Sequence, residues 1–439
     1  HVSRLRRIVG LALPIIGAMV SQSLLNVVDT AMVGSLGDAA LAAVGLGSFV
    51  LFTCQALILG LSVGVQTVAA RRKGEGRLHE SAAPLNGALV LVAVAGPVSA
   101  IVLGLAAPWF FTALNPDPAV VAAAVPYFQI RMAAGTFMAA NYAFRGYWNA
   151  VDDARWYMVT LVIMHAANIG LNWVLIYGNL GAPALGVTGA ALATAASVVL
   201  GTGIYFALGW RIARERGFLR LRPTRDQLRV LVRVSFPAGL QHFSMSAGLV
   251  VLYWIIGHMG TRELAAANVL VNIMTVVILP GMGLALAAAT LVGQALGRGD
   301  GADAMAWAHD TLRVGMVGLS VLALPLLLAP DWILGVFLHD PATLELARWP
   351  ARIAGLAVVL EGVKRVYMHA LMGAGDARRV ARIGVLTQWG MFLPVAWLLG
   401  PTFGQGLLAI WLWQEVYRLT QTALYWRDWR SGRWQGIKV

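Results

Sequence analysis

Residues 11–34 read LALPIIGAMVSQSLLNVVDTAMVG, and residues 234–257, which begin 223 positions later, read VSFPAGLQHFSMSAGLVVLYWIIG. Each stretch has 24 residues, more than the roughly 20 that a predominantly apolar α-helix needs to cross a bilayer. At this offset Pro14 matches Pro237, and the last glycines of the two stretches also match. The two stretches therefore predict a pair of membrane helices in equivalent places of a duplicated chain.

The composition extends this prediction to the whole chain. Of its 439 residues, 59% are hydrophobic and 12% are charged, about half the charged share of an ordinary soluble domain. A bilayer can accommodate such a chain because its hydrocarbon core is itself a solvent for apolar side chains. The single cysteine, Cys54, excludes an internal disulfide and a cysteine metal cluster. We therefore expect a membrane protein without a metal site.

Twelve apolar stretches are long enough to form membrane-spanning helices. They lie near residues 8–34, 41–69, 83–112, 119–149, 156–178, 185–210, 230–258, 264–294, 305–329, 342–372, 379–400 and 405–427. The sequence thus predicts an all-α membrane protein with twelve transmembrane helices.

The basic residues fall mainly in alternate gaps between these stretches. Residues 211–233 contain eight arginines, whereas the gaps 34–41, 178–187 and 400–405 contain neither lysine nor arginine. The positive-inside rule then predicts a multi-pass protein of the inner (plasma) membrane with both termini in the cytoplasm. The net charge of +13 is explained by topology, so we expect no binding to nucleic acid.

The offset of 223 residues recurs in polar motifs. They are Asp117-Pro118 with Asp340-Pro341, and Asp153-Ala154-Arg155 with Asp376-Ala377-Arg378. Chance matches between small residues of membrane helices explain paired glycines and alanines, but they do not explain these motifs. Six helices per repeat is an even number, so both repeats enter the membrane in the same direction. This predicts two six-helix lobes related by a pseudo-two-fold axis along the membrane normal.

The repeat also divides the chain into segments. Residues 1–210 form the predicted N-terminal lobe, 211–229 a basic cytoplasmic linker, and 230–439 the C-terminal lobe.

Two polar stripes stand out within the apolar stretches of the first lobe. Gln22, Asn26 and Asp29 are spaced four and three apart, which places them on one helical face. His165, Asn168 and Asn172 repeat that spacing in the fifth stretch. The stripes predict a polar pocket in which Asp29 is the titratable acid and a candidate for proton exchange, because an ionisable group at membrane depth is a functional hypothesis by default. The alternative is a structural acid bonded to the asparagines.

Fewer candidates occur in the second lobe. Glu361 is an acid within the tenth stretch, but Lys364 and Arg365 follow it by three and four residues, so a local helical ion pair is the alternative. Glu415 and Arg418 are interpreted as a structural pair. Asn268 and Asn272 form an i, i+4 pair that either lines a cavity of the second lobe or bonds only between helices. His242 is a further candidate for lining a cavity, and its alternative is a packing role.

Motifs of soluble enzymes are absent from the sequence. It contains no Walker A motif, no HExxH motif and no nucleophile elbow. We therefore expect a secondary transporter rather than an enzyme. It would be driven by an ion gradient or by substrate alone, without a cofactor other than H⁺ or Na⁺ as coupling ion, and would act as a monomer.

These residues resemble the multidrug and toxic compound extrusion (MATE) family over essentially the whole chain. The motifs that carry the resemblance are Pro14, Asn26-Val27-Val28-Asp29-Thr30-Ala31-Met32-Val33-Gly34, the stretch from Arg145-Gly146-Tyr147-Trp148 to Asp153-Ala154-Arg155, Asn168 through Asn172, and Gly373-Ala374-Gly375-Asp376. The resemblance implies a two-lobe, twelve-helix exporter of cationic, amphipathic organic compounds in exchange for H⁺ or Na⁺. It also implies ion coupling at Asp29, with Asn26, Asn168 and Asn172 nearby.

The subgroup features are mixed. Some members of the family have aspartate where this chain has Asn172. NorM-like members carry an acid about eight residues after the proline of the seventh helix, where this chain has Met245. They also carry an aspartate fifteen residues before the loop aspartate, and here Glu361 stands fifteen before Asp376. The chain therefore combines NorM-like and DinF-like features.

Two other transporter classes are alternatives. A lipid-linked precursor flippase of the same superfamily would have a basic cavity, whereas deep basic residues are few here: Arg131, Lys364 and Arg365. A major-facilitator transporter would favour an Asp-Arg-Gly-Arg type loop after the second helix. This chain instead has RRKGEG at 71–76.

Overall fold

The computed structural model describes residues 2–439, which contain α-helices and no β-strand. Sixteen α-helices follow one another along the described chain. They are α1 (Val2–Gly34), α2 (Asp38–Gly74), α3 (Ala83–Leu114), α4 (Pro118–Ala133), α5 (Gly135–Ala150), α6 (Ala154–Tyr177), α7 (Val187–Leu208), α8 (Arg225–Gly257), α9 (Thr261–Val277), α10 (Leu279–Gly297), α11 (Gly301–Leu328), α12 (Pro330–Leu334), α13 (Pro341–Gly373), α14 (Ala377–Thr387), α15 (Leu393–Trp397) and α16 (Leu407–Arg430).

Every predicted apolar stretch coincides with one helix or with consecutive helices. The fourth stretch is α4 and α5, which meet at an angle of 51°, and the eighth is α9 and α10. In the described chain, nine helices are long and apolar enough to cross a membrane, or ten when the bent pair is one span. Helix α9 has only 17 residues, and α13 and α16 carry several charges. The all-α membrane fold is confirmed, and the count of twelve spans stays a prediction.

The recurring aspartates mark equivalent helix starts. The Asp117 carboxylate accepts a hydrogen bond from the backbone amide of Ala119 at 2.9 Å and caps α4. The Asp340 carboxylate accepts one from the amide of Ala342 at 3.3 Å and caps α13. Such caps satisfy amides that have no partner inside the helix. The repeat in sequence therefore has a local structural cause.

The contacts of the chain divide it into two compact units. The first unit is Gly17–Gly239, and the second unit joins the residues up to Ile16 with Leu240–Val439. Two long helices are therefore divided between the units. The beginning of α8 belongs to the first unit and its remainder to the second, whereas the beginning of α1 belongs to the second unit and its remainder to the first. The boundaries are set by contacts, whereas the predicted lobes 1–210 and 230–439 are defined by the sequence repeat.

Glycines explain why these helix beginnings pack so closely within each unit. In the first unit, a Cβ atom on Gly60 of α2 would lie 2.2 Å from the Ser235 carbonyl oxygen and 2.4 Å from the Gly239 nitrogen of α8. In the second unit, a Cβ atom on Gly283 of α10 would lie 2.4 Å from Cγ1 of Ile16 in α1. Small residues at such points let helix backbones approach within a membrane.

The basic segment after α7 folds back on the first unit. The Arg216 guanidinium lies 2.8 Å from the Asp153 carboxylate, and the Asn86 side chain donates to the Gly217 carbonyl at 2.8 Å. These contacts hold the arginine-rich segment against the helices that precede it.

Candidate functional site

The two polar stripes of the first unit lie side by side. The Asn172 amide nitrogen donates to an Asp29 carboxylate oxygen at 2.5 Å, and His165 Nε2 lies 3.2 Å from the Gln22 amide oxygen. Both pairs are separated by 143 residues, so α1 and α6 run parallel with their stripes in register. The predicted topology requires this arrangement, because successive spans cross the membrane in alternating directions and the first and fifth apolar stretches therefore run the same way.

Burial differs between the two helices of this site. His165, Asn168 and Asn172 on α6 are 6%, 2% and 1% exposed. On α1, Asp29 is half-buried, and Gln22 and Asn26 are exposed. The α6 stripe therefore forms the buried wall of the site, and the acid on α1 remains partly accessible.

Two amide oxygens in the buried wall have spare hydrogen-bonding capacity. Within residues 2–439, Oδ1 of Asn168 and Oδ1 of Asn172 have no hydrogen-bond partner, while the Asn168 nitrogen donates to the Thr194 hydroxyl at 3.4 Å. An unpaired buried acceptor is costly. The Asn172 oxygen belongs to the residue that contacts Asp29, and the Asn168 oxygen lies one helical turn earlier on the same stripe; both can receive a proton donor or coordinate a small cation.

A second set of hydrogen bonds extends from this site along α1. The Gln22 nitrogen donates to the Asn26 oxygen at 3.1 Å. Ser21 Oγ lies 2.5 Å from Nδ1 of His165. Ser21 was not among the sequence candidates, and its position directly before Gln22 is the only signal that could have indicated it.

Arg131 of α4 also belongs to the first unit. Its guanidinium donates to the Tyr127 hydroxyl at 2.9 Å, and its positive charge acts on Asp29. The sequence suggested no partner for this arginine, because α4 and α1 are far apart along the chain.

In the second unit, Glu361 of α13 is surrounded by basic side chains. Lys364 Nζ lies 2.9 Å from Glu361 Oε2, and Arg365 Nε lies 2.9 Å from Glu361 Oε1. Arg418 Nε of α16 lies 3.2 Å from Oε2. The local ion pair considered from the sequence is present, and α16 adds a third cation to it.

The pair predicted on α16 is also part of this cluster. Arg418 Nη1 lies 2.6 Å from an oxygen of Glu415. Sequence spacing indicated the contact between Glu415 and Arg418, whereas only the packing of α16 against α13 brings Arg418 to Glu361.

The charged side chains line a cavity of about 210 Å³ in the second unit. Glu361, Lys364, Arg365 and Arg418 form its charged part. The apolar part includes Leu252, Leu270, Met274, Phe392 and Trp411.

The other second-unit candidates, Asn268, Asn272 and His242, are not among the residues that line this cavity. The Asn272 nitrogen donates to the Asn268 oxygen at 3.4 Å, and the Tyr253 hydroxyl donates to the same oxygen at 3.5 Å. His242 of α8 is half-buried. Among the described residues, no group of three or more His, Cys, Asp or Glu side chains is arranged to hold a metal ion.

Comparison with known proteins places this architecture among transporters. The MatE family model matches residues 14–174 and 237–398. A probable multidrug resistance protein NorM of Synechococcus sp. is 30% identical over 94% of this chain and 91% of its own length. The NorM protein of Thermotoga maritima, also described as probable, is 25% identical over 98% of this chain and 93% of its own.

Solved structures share the fold. An outward-facing multidrug resistance MATE family transporter of the MOP superfamily matches with a TM-score of 0.90 and 23% identity, over 99% of this chain and 97% of its own. A MOP superfamily transporter from Pyrococcus furiosus, described as having a binding pocket of reverse polarity, matches with a TM-score of 0.85 and 23% identity. The match covers 98% of this chain and 95% of that transporter's chain. Because the family model covers both repeats, the chain belongs to the MatE family of membrane transporters.

Proposed function

We propose that the chain is a secondary active antiporter that exports cationic, amphipathic compounds in exchange for H⁺. The contact between Asp29 and Asn172, beside unpaired amide oxygens, carries this proposal. The relatives named for multidrug resistance support the substrate class.

The exchange follows from the two states of the Asp29 carboxyl group. When ionised, the group accepts a hydrogen bond from the Asn172 nitrogen and attracts a cationic substrate. When protonated, it becomes a donor, and the unpaired oxygen of Asn172, the residue that already contacts Asp29, is an available acceptor. Proton binding therefore removes the negative charge and changes which atoms of α6 are bonded to α1.

Alternating access links this local change to transport. A ligand shifts a conformational equilibrium only through its different affinity for the two states. Proton and drug would compete for the charge of Asp29, so each would favour a different state of the two repeats. Na⁺ is the second candidate for the coupling ion, because the carboxylate and the amide oxygens are hard oxygen donors.

Transport into proteoliposomes tests the proposal. Export of a fluorescent cation is followed with a pH gradient or a Na⁺ gradient imposed separately, for the wild type and for Asp29→Asn. The matched control is Asp226→Asn, which changes an exposed acid at the start of α8. We expect the pH gradient to drive export by the wild type and the control but not by Asp29→Asn.

Undiminished gradient-driven export by Asp29→Asn would refute the role of Asp29. Export driven only by the Na⁺ gradient would replace H⁺ by Na⁺ as the coupling ion.

The surroundings of the protein are part of the proposal. We expect a monomer in the inner membrane with both termini in the cytoplasm, as the distribution of arginines predicts. Protease removal of terminal tags only in inside-out vesicles would agree with this orientation.

A further inference from the structure

The charge cluster of the second unit contains an excess of positive charge. Three cations, Lys364, Arg365 and Arg418, lie against two carboxylates, Glu361 and Glu415. The cluster therefore has a net charge of +1 when all five groups are ionised. The described residues that line the cavity include no acid other than Glu361.

This excess is buried. Glu361 and Lys364 are 5% and 6% exposed, and the side chains of Arg365 and Arg418 are 15% and 12% exposed. Buried charges are costly unless they are paired, and ionisable groups at membrane depth generally mark a functional site. An unbalanced buried cation therefore calls for an anionic partner.

Glu361 is poorly placed to bind a cation. Oε1 is in contact with Arg365, and Oε2 is in contact with both Lys364 and Arg418. A metal ion or an organic cation at this carboxylate would have to displace side chains of its own charge. The cluster thus favours an anion.

The cavity has the form expected for an amphipathic anion. Its charged end is continuous with apolar side chains that include Leu252, Phe392 and Trp411. Its volume of about 210 Å³ exceeds the ~150 Å³ of an engineered cavity that binds benzene. A single carboxyphenyl group is therefore of suitable size.

The geometry points to a binding site in the second unit for the carboxylate of an amphipathic organic acid, held by Lys364, Arg365 and Arg418. This goes beyond the proposed exchange at Asp29 and does not depend on it.

A matched pair of dyes separates an anion site from a cation site. Rhodamine 110 carries a free carboxylate, and rhodamine 123 is its cationic methyl ester. Binding of each dye is measured by fluorescence anisotropy on the purified full chain in detergent, without an ion gradient. Failure of the proposed antiport would therefore not affect the result.

Loss of one cation of the cluster should weaken the binding of rhodamine 110, which carries the free carboxylate, and not the binding of rhodamine 123. In Arg365→Gln, the affinity for rhodamine 110 is expected to fall about tenfold or more, the range for a lost hydrogen bond between charged groups, while rhodamine 123 binding is unchanged. The matched control is Arg348→Gln on the same helix, whose arginine pairs with Asp331 at 2.8 Å. The control should leave the binding of both dyes unchanged.

Loss of an acid distinguishes the two kinds of site by the direction of the effect. Glu361→Gln should strengthen rhodamine 110 binding at an anion site, whereas it would weaken rhodamine 123 binding at a cation site. Because removal of one partner from a buried ion cluster can prevent folding, Glu415→Gln serves as the second variant. It frees Arg418 and should act in the same direction.

Two outcomes of the variant series would overturn the proposal. One is unchanged rhodamine 110 binding in Arg365→Gln. The other is a loss of rhodamine 123 binding in Glu361→Gln or Glu415→Gln.

Competition identifies the source of the anion. Displacement of rhodamine 110 by benzoate would support a carboxylate site. Displacement by short-chain phosphatidic acid but not by benzoate would assign the cavity to a lipid phosphate, as expected of a lipid-linked precursor flippase, and would overturn the carboxylate proposal.

Discussion

Replacing Gly60 by alanine tests the close approach of α2 and α8 within the first unit. The new methyl carbon would lie 2.2 Å from the Ser235 carbonyl oxygen and 2.4 Å from the Gly239 nitrogen. Ordinary contacts of such a carbon begin at 3.4 Å. The helices must therefore separate locally by about 1.2 Å (3.4 Å minus 2.2 Å), because both obstacles are backbone atoms that no side-chain rotation can move.

The cost follows from the packing that this separation disrupts. A gap of about 0.5–1 Å already forfeits a quarter to a half of the dispersion energy of a contact, and overpacking in a tight core costs about 1–3 kcal/mol. Alanine regains about 0.5–1 kcal/mol through its better helix propensity. We therefore expect a net loss of about 0.5–2 kcal/mol in the free energy of unfolding of the first unit.

Thermal unfolding of the purified protein in detergent, at a fixed heating rate, measures this effect. Gly45→Ala on the same helix is the control, because a Cβ atom there meets no atom within 4 Å. Gly283→Ala is the repeat-related comparison, since its nearest obstacle is Cγ1 of Ile16, a side-chain atom that can rotate away. We expect an apparent Tm lowered by several degrees for Gly60→Ala, less for Gly283→Ala, and not at all for Gly45→Ala.

An unchanged Tm in Gly60→Ala would refute the close packing. Equal losses in Gly60→Ala and Gly45→Ala would show that the approach of α8 does not determine the effect, because helix propensity favours alanine over glycine at both positions.

Three further predictions concern polar contacts. Asn172→Ala removes the hydrogen bond to Asp29, so pH-driven export should fall about tenfold or more, as measured in proteoliposomes. Arg418→Gln breaks a buried ion cluster and should lower the free energy of unfolding by about 3–5 kcal/mol, measured by thermal unfolding. Hydrogen bonds from the Thr343 hydroxyl and a backbone amide hold the pKa of Asp340 below its ordinary value of 3.8. The ionised group therefore stabilises the fold above about pH 3.8, and the Tm advantage of the wild type over Asp340→Asn should shrink as the pH falls below that value.

Controls make these three results specific. Asn115→Ala, outside the pocket, should leave export unchanged. Arg229→Gln breaks an exposed ion pair at 3.4 Å and should change stability by about 0–1 kcal/mol. A Tm difference between wild type and Asp340→Asn that stays constant from pH 7 to pH 3 would contradict the assignment of the low pKa.

The sequence predicted most of the fold because its signals are local. An apolar run of sufficient length forms a helix in a bilayer wherever the rest of the chain lies. The predicted stretch 342–372 and helix α13, Pro341–Gly373, agree within a residue for this reason. Helix α9 has only 17 residues because the chain breaks at Ile278, where α10 begins immediately afterwards. Hydropathy alone does not reveal such a break.

The candidate site was predicted in part. Spacings of four and three placed Gln22, Asn26 and Asp29 on one face of α1, because helical periodicity is fixed. That Asp29 faces Asn172, and not another residue of the α6 stripe, depends on the axial register of two helices separated by 143 residues.

What the sequence by itself determined is the membrane class, the positions of the helices, the repeat of 223 residues beginning with 11–34 and 234–257, and the polar stripes. Each of these depends on composition or on spacing along one helix. The tertiary structure decided which stripes meet and that Arg418 joins Glu361. It also decided that the beginnings of α1 and α8 pack into the second and first units. These features depend on the close approach of helices remote in sequence, which small residues such as Gly60 permit but do not specify.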